Sequence, residues 1–231
     1  MATTGICNSF KVEMLQAGHC FNATLTGLAG AGASGTFTIT GLANTLGISV
    51  GMLASGTNVA AGAIVASIDS PTQVTVSKAH TGVVTSGSIG FAGDIFKSLL
   101  VKVSPTLVYA ASQTNVGTPG SGAPSTSNVG TDEVVGAGYT SGGFTNGNIT
   151  PSLSTTTAVT QFTPNPSWTA ASFSATAMIS YNSSQRFGGA APLAGHTIIV
   201  NDFGGTQTVA SGTFTVLLPV NAAGTALIQV A

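Results

Sequence analysis

The sequence predicts a mainly-β protein: an antiparallel β-sandwich main domain, one N-terminal helix and a second, small inserted β domain. Three observations carry this. Between Trp168 and Tyr181, the residues Ala171, Phe173, Ala175, Ala177, Ile179 and Tyr181 fall on alternate positions. Ser172, Ser174, Thr176 and Ser180 lie between them, with Met178 the exception. A period of two sends successive side chains to opposite faces of a pleated strand. The second observation is punctuation by Asn182-Ser-Ser, Gly188-Gly189, Gly204-Gly205 and Ser211-Gly212, which reads as turns between strands. The third is the lack of interleaved helical patterns, which a parallel sheet would require.

Taken in order, residues 4–18 carry the one helical pattern. Ile6, Cys7, Phe10, Met14 and Ala17 follow three- and four-residue spacing, with Asn8, Lys11 and Glu13 elsewhere on the wheel. Thr3 or Thr4 is placed to cap its start and Gly18 to stop it. Residues 22–93 hold short β pulses at 36–40, 48–50, 63–68, 73–77 and 88–91, spaced by Gly, Asn and Ser-Pro turns. That spacing predicts a small β domain inserted between the helix and the main sheet, so that residues 1–21 and 94–231 form one domain and 22–93 the other. The main domain resumes at Asp94–Val103. A loop rich in Gly, Pro, Ser, Thr and Asn follows over 113–130, of a length that usually carries function or motion. A strand is expected near 158–162, and Pro164-Asn-Pro166 turns into Trp168. Thr197–Val200 is apolar on both faces, and Phe214, Val216 and Leu218 alternate again.

The composition is unusual. Charged residues make up 5% of the 231, against about 25% in an ordinary soluble domain. The 43% apolar share and 31 glycines argue against disorder. Ser, Thr, Gly and Ala stand where surface charge would normally guard against association, so much of the surface is expected to be covered in an assembly. The net charge of −1, with five Lys or Arg, offers no basic stripe for nucleic acid. No apolar run reaches the roughly 18 residues of a membrane span. The start, Met1-Ala-Thr-Thr-Gly, lacks a basic n-region, so no secretory signal is expected. If the segment between Cys7 and Cys20 is helical, thirteen rises hold the two apart by about 20 Å, beyond the reach of a disulfide. Two buried thiols are expected, with bridges to a neighbouring subunit as the alternative.

Gly30-Ala-Gly32-Ala-Ser-Gly35 spells GxGxxG but precedes a strand pattern instead of opening a helix, so it reads as a flexible connection. His19, His80 and His196 lack the close pairing of a zinc helix and read as separate surface or core residues. Asp132 and Glu133 are the only adjacent acids; in a strand they would point to opposite faces, a poor start for a paired acid and base. They are expected to cap a turn or pair with a cation, or alternatively to hold a metal ion between subunits. No catalytic residue, resident metal or cofactor is expected, and the chain is not read as an enzyme.

Several stretches carry a resemblance. They are Cys7-Asn-Ser-Phe10-Lys-x-Glu13-x-Leu15, Asp132-Glu-Val-x-Gly136-x-Gly138-Tyr139-Thr-x-Gly-Gly143, Ile179-x-Tyr181-Asn182-Ser-Ser184, and Asp202-Phe-Gly204-Gly leading to Gly212-Thr-Phe214-Thr. In this order they resemble a family of short virion structural proteins of tailed bacteriophages, over roughly residues 5–20 and 94–231. Residues 22–93 depart from that pattern; within them Val50-Gly-Met-Leu-Ala-Ser-Gly-Thr-Asn-Val59-Ala-Ala-Gly62 and Ile68-Asp-Ser-Pro-Thr-Gln-Val-Thr-Val76 look like a small β module of phage fibres and bacterial surface proteins. The resemblance implies a head-decoration or cement subunit on the capsid exterior, present in the host cytoplasm during assembly. Its expected partners are the major capsid protein and its own copies, in a trimer. Phe10, Met14, Asp132, Glu133 and the 113–130 loop are the candidate partner contacts. The alternative is a fibre or head-protruding adhesin that meets a cell surface or glycan through residues 22–93. Phe37 and Phe91, the aromatics of that stretch, are expected in its core.

Overall fold

The computed structural model describes residues 3–16, 18–184 and 194–230. Ala17 of the helical pattern and the Gly188-Gly189 turn lie outside these residues. The protein is mainly β, with antiparallel sheets and, among the described residues, one α-helix. Along the chain come β1 (Thr3–Ile6), α1 (Asn8–Leu15), β2 (Leu25–Leu28), β3 (Thr38–Ile39), β4 (Leu53–Ser55) and β5 (Val65–Ser70). Then follow β6 (Gln73–Val76), β7 (Ile89–Ala92), β8 (Phe96–Val101), β9 (Phe144–Thr145), β10 (Gly147–Asn148) and β11 (Ser152–Ser154). The last are β12 (Thr157–Thr160), β13 (Phe162–Thr163), β14 (Ser167–Asn182), β15 (Thr197–Thr215) and β16 (Ile228–Val230).

The principal sheet has the order β1-β15-β14-β8-β9. Its long pair, β14 and β15, forms because both strands alternate small or apolar with hydroxyl side chains, which suits a pleated surface. Where the sheet is covered on both sides the alternation stops: Met178 through Asn182 and Thr197 through Val200 are buried in succession. Neighbouring residues then serve opposite cores. Leu99 and Ile179 join one cluster with Phe10, Phe162 and Ile228, so that α1, β13 and β16 close that face. Leu100 and Met178 join the other, with Trp168, Phe173 and Val216. In the first cluster Phe21 and Phe96 stack at 4.5 Å and 8°, and Phe162 and Phe10 pack against this pair at 5.3 and 5.9 Å.

The strands of residues 22–93 form two further sheets, β2-β7-β4 and β3-β6-β5. They enclose a core of their own, with Ile39, Met52, Val65, Val74, Ile89 and Phe91 fully buried. The two ends of this segment meet. The Asp94 N–H donates to the Cys20 carbonyl at 2.8 Å, and the Cys20 N–H donates to Asp94 Oδ2 at 2.9 Å. Asn148 Nδ2 donates to the Asp94 carbonyl at 2.8 Å and to the Asn22 carbonyl at 3.3 Å. Gly93 permits this approach, because a Cβ there would overlap the Asn22 carbonyl oxygen.

Several sequence expectations are corrected. The helix is eight residues rather than fifteen: Thr3–Ile6 pairs with β15 instead, and Gln16 ends the helix. Glu13, placed off the apolar stripe, is buried. The expected turns Gly204-Gly205 and Ser211-Gly212 are not turns. Both lie inside β15, where Gly204 (φ 73°) and Ser211 (φ 52°) take left-handed conformations and the register with β14 shifts. A bulge and a turn both require positive φ, and the partner strand decides between them. Residues 48–50 form no strand, though Ile48 is buried, and Phe37 is half-exposed at 48% instead of lying in the core.

Gly93→Ala is expected to lower stability by at least about 2 kcal/mol, read from urea unfolding by far-UV circular dichroism. A wild-type midpoint would show that the two ends of 22–93 do not need this close approach.

Candidate functional site

Ionisable residues are few, and the fold turns most of the acids inward. Of the six acidic residues, Glu13, Asp94, Asp132 and Glu133 are buried. A buried carboxylate survives only if its oxygens are satisfied, and each is met differently.

Glu13 projects from α1 into the junction between the helix, the ends of 22–93 and the principal sheet. His19 Nε2 lies 2.8 Å from its Oε2, and His196 Nδ1 lies 2.7 Å from its Oε1. His19 Nδ1 faces Asn182 Nδ2 at 3.0 Å, and the same amide nitrogen donates to Asp94 Oδ2 at 2.9 Å. An amide nitrogen can only donate, so His19 Nδ1 accepts and the proton sits on Nε2, aimed at Glu13. Asn182 Oδ1 accepts from the Ser184 N–H at 2.9 Å, which fixes the amide orientation. The chain His196–Glu13–His19–Asn182–Asp94 therefore ties α1, the entry and exit of 22–93, and the facing ends of β14 and β15 into one polar network. Burial holds the His19 imidazole below its ordinary pKa, against the opposing pull of Glu13 and Asp94, and so favours the neutral ring that this geometry needs.

Asp132 and Glu133 do not lie in a strand. Gly130–Asp132 is a 3-10 turn, and both acids are buried. Tyr109 donates to Asp132 Oδ2 at 3.0 Å. Glu133 organises the loop that follows it: Tyr139 donates to Oε1 at 3.0 Å, Ser141 to Oε2 at 2.7 Å, and the Gly142 N–H to Oε1 at 2.6 Å. Tyr139 also accepts from the Leu100 N–H at 3.1 Å, while Tyr181 donates to the Gly142 carbonyl at 2.8 Å. The phenols answer in their acidities. Burial, then the Asp132 hydrogen bond, raises Tyr109, and burial, then the Glu133 charge, raises Tyr139. Tyr181 is pushed up to about 12 by burial and then by Glu133. Gly136 and Gly138 let this loop lie against β14, where a Cβ would overlap the Ser172 and Thr169 carbonyls.

Phe10 is fully buried in the chain's own core, so it has no surface to offer a partner. Asp132 and Glu133 are likewise internal: their expected role as partner contacts is corrected to that of turn anchors. Met14 is half-buried against the first core. The 113–130 loop is anchored from within. Val116 and Val129 are buried, Gln113 Nε2 donates to the Asn115 and Ser125 carbonyls, and Asn128 Oδ1 accepts from the Thr118 and Gly130 N–H groups. Its outer residues, among them Thr118, Ser121, Thr126 and Ser127, are exposed.

Sequence reasoning missed two features. It separated the histidines, two of which share Glu13; His19 stands six residues away and His196 stands 183 away. It also looked to Phe10 and Met14, whereas α1 presents Val12 (55% exposed) and Leu15 (91% exposed) outward. Burying Glu13 and exposing Leu15 inverts the usual amphipathic arrangement, a pattern that the 3.6-residue period cannot reveal unless the partners of Glu13 are known.

Chemically, the junction holds the fold in place. Both oxygens of Glu13 and both nitrogens of His19 are engaged. The Thr197 hydroxyl beside the network donates to the Gln113 carbonyl at 2.6 Å, and burial pushes the Cys7 thiol above its ordinary pKa, away from the thiolate. Cys7 and Cys20 are both buried thiols. Among the described residues, no group of three or more His, Cys, Asp or Glu is placed to hold a metal ion, and no helix is long and apolar enough to cross a membrane.

The folded His19 binds its proton less readily than the unfolded one, so stability is present above the ordinary value of 6.5 and falls as pH drops below it. Thermal melting between about pH 7.5 and 5.5 is expected to show this fall, since the shifted group is the one whose ordinary value lies in that window. His19→Gln keeps one donor for Glu13 and one acceptor for Asn182 without titrating, and is expected to flatten the slope; an unchanged slope would remove His19 as its source. Glu133→Ala strands three donors and is expected to cost about 3 kcal/mol in urea unfolding. No protein-family model, curated protein or solved structure matches the chain.

Proposed function

We propose that the chain is a structural protein of a tailed-bacteriophage virion, a capsid decoration or cement subunit that bridges major capsid subunits from outside. One observation carries this reading: the surface is almost without ions and studded with large apolar side chains. Four of the six acids are buried, which makes the surface poorer in charge than the 5% composition implies. Leu15, Leu46, Val108, Val135, Leu153, Leu217 and Val220 are each more than 70% exposed, although the cores behind them are filled. A protein working alone in water is ordinarily guarded by charge of both signs. A subunit laid on a neighbour has no such need. An interface of this kind loses little to desolvation of ions and responds weakly to salt. Many copies on one shell then add weak contacts into firm adhesion.

The contact element this reading favours is α1, whose Val12 and Leu15 face outward while Glu13 fixes the helix from below. A second reading, a fibre or head-protruding adhesin, is favoured by the half-exposed Phe37 and by the apolar Leu46, Val50 and Val83 on the outside of 22–93. Copy number separates the two: hundreds per particle fit decoration, and about a dozen fit a fibre.

Leu15→Asp is expected to leave folding stability within about 0.5 kcal/mol of wild type, because the side chain is on the surface. It is expected to lower occupancy on purified capsid shells at least about tenfold, the equivalent of about 1.4 kcal/mol. Co-sedimentation with shells at low and high salt reads both effects. Undiminished binding would remove α1 as the contact, and a complete lack of binding by the wild type would remove the decoration reading.

A further inference from the structure

The ribbon of β14 and β15 has two edges, and the fold treats them differently. On the β14 side, Gly136 and Gly138 bring the 134–143 loop against the strand, and Ala137 bridges to Ser172. Further along, β8 pairs with β14 from Ala177 to Asn182. On the β15 side, β1 pairs only with Ile199 through Asp202. Among the described residues no strand pairs with the outer edge of β15 from Thr206 to Thr215. Thr206, Gln207, Thr208, Ala210, Ser211, Thr213 and Thr215 are all exposed there.

Natural sheets guard such an edge with charged side chains, proline, bulges or a covering segment. Here the bulge at Ser211 is present but the charged guard is missing: from residue 203 to 231 the sequence holds no Asp, Glu, Lys or Arg. The left-handed Ser211 sits in a bulged stretch, with the register to β14 shifting on both sides of Gly212, and regular pairing is kept over Gln207–Val209 and Phe214–Thr215.

We infer that this edge pairs with the same edge of a second copy, antiparallel across a two-fold axis. The occupant follows from symmetry and charge. An antiparallel ladder about a two-fold is self-complementary, since each N–H on one edge finds the carbonyl of its symmetry mate. Two uncharged edges meet without like-charge repulsion. The side chains also suit such a pairing: Ser174 and Thr208 share a hydroxyl hydrogen bond at 2.7 Å across the existing ribbon, and Ser167 and Thr215 share one at 2.9 Å. Thr206 and Thr213 offer the same pairing to a further strand. The open stretch is about 30 Å long, and a ladder one sheet thick buries well under the roughly 800 Å² per partner of a standard interface. The dimer is therefore weak, with a Kd in the micromolar range or above. Two-fold pairing is an alternative to the trimer expected from sequence, and it stands whether or not the decoration reading does.

The test is sedimentation equilibrium of the full chain from about 1 to 500 µM, with hydrogen exchange read at both ends of that range. Wild type is expected to pass from monomer to dimer, with amides of 206–215 exchanging at least about tenfold more slowly in the dimer. Thr206→Lys/Thr213→Lys puts like charges across the axis on exposed positions and is expected to weaken dimerisation at least about tenfold; Leu15→Asp is expected to leave it unchanged. A wild-type monomer throughout, a trimer, or a dimer indifferent to the two lysines overturns the inference. If the wild type is monomeric and the lysines instead abolish shell binding, the edge belongs to a capsid neighbour and the inference also fails.

Discussion

The fold depends on how it satisfies a buried carboxylate at the point where three segments meet. Asp94 accepts from the Cys20 N–H and from Asn182, and Asn182 passes the connection through His19 to Glu13. Without those donors an ionised carboxylate in this position would cost several kcal/mol. With them, the same charge fixes where residues 22–93 leave the main body and where they return. The helix is held in the same way: its buried Glu13 does what an apolar stripe does for most surface helices. Phe10 supplies the apolar share of that anchorage against Phe21.

This arrangement explains how a chain so poor in ions can still be specific. Hydrophobic burial is non-directional, and cores rich in Ala, Val and Phe tolerate alternative packings. Directional partners at a few places select among them. Glu133 does so for the 134–143 loop, Asp132 for the turn before it, and the Asp94–Asn182 pair for the junction. Acids that would ordinarily keep a surface wet are used inside. The exterior is left largely to Ser, Thr, Gly and scattered aliphatic residues.

The β character was legible from particular residues. The alternation from Ala171 to Tyr181 became β14, and the doubly apolar Thr197–Val200 became the first four residues of β15, where both faces are covered. The separate patterning of 22–93 corresponds to strands that pair among themselves around their own core. Less legible were the short strands β2, β4, β9, β10, β11 and β16, which are two to four residues long. A run that short has no measurable period, and it exists because a neighbour supplies hydrogen bonds. The candidate site was the least legible part, since Phe10 reads the same in a core as at an interface until the opposing residues are known.

By itself the sequence determined that the chain forms antiparallel sheet, that residues 22–93 carry their own β pattern, and that the surface is nearly free of charge. These follow from period and composition, which are local or additive properties. Only the tertiary structure decided that Glu13 is buried between His19 and His196, that Gly204 and Ser211 bend a continuous strand instead of ending one, and that one ribbon edge is covered while the other stays open. Those outcomes depend on groups as far as 183 residues apart meeting at hydrogen-bond distance. The order of residues along a chain does not specify such meetings until folding has brought them together.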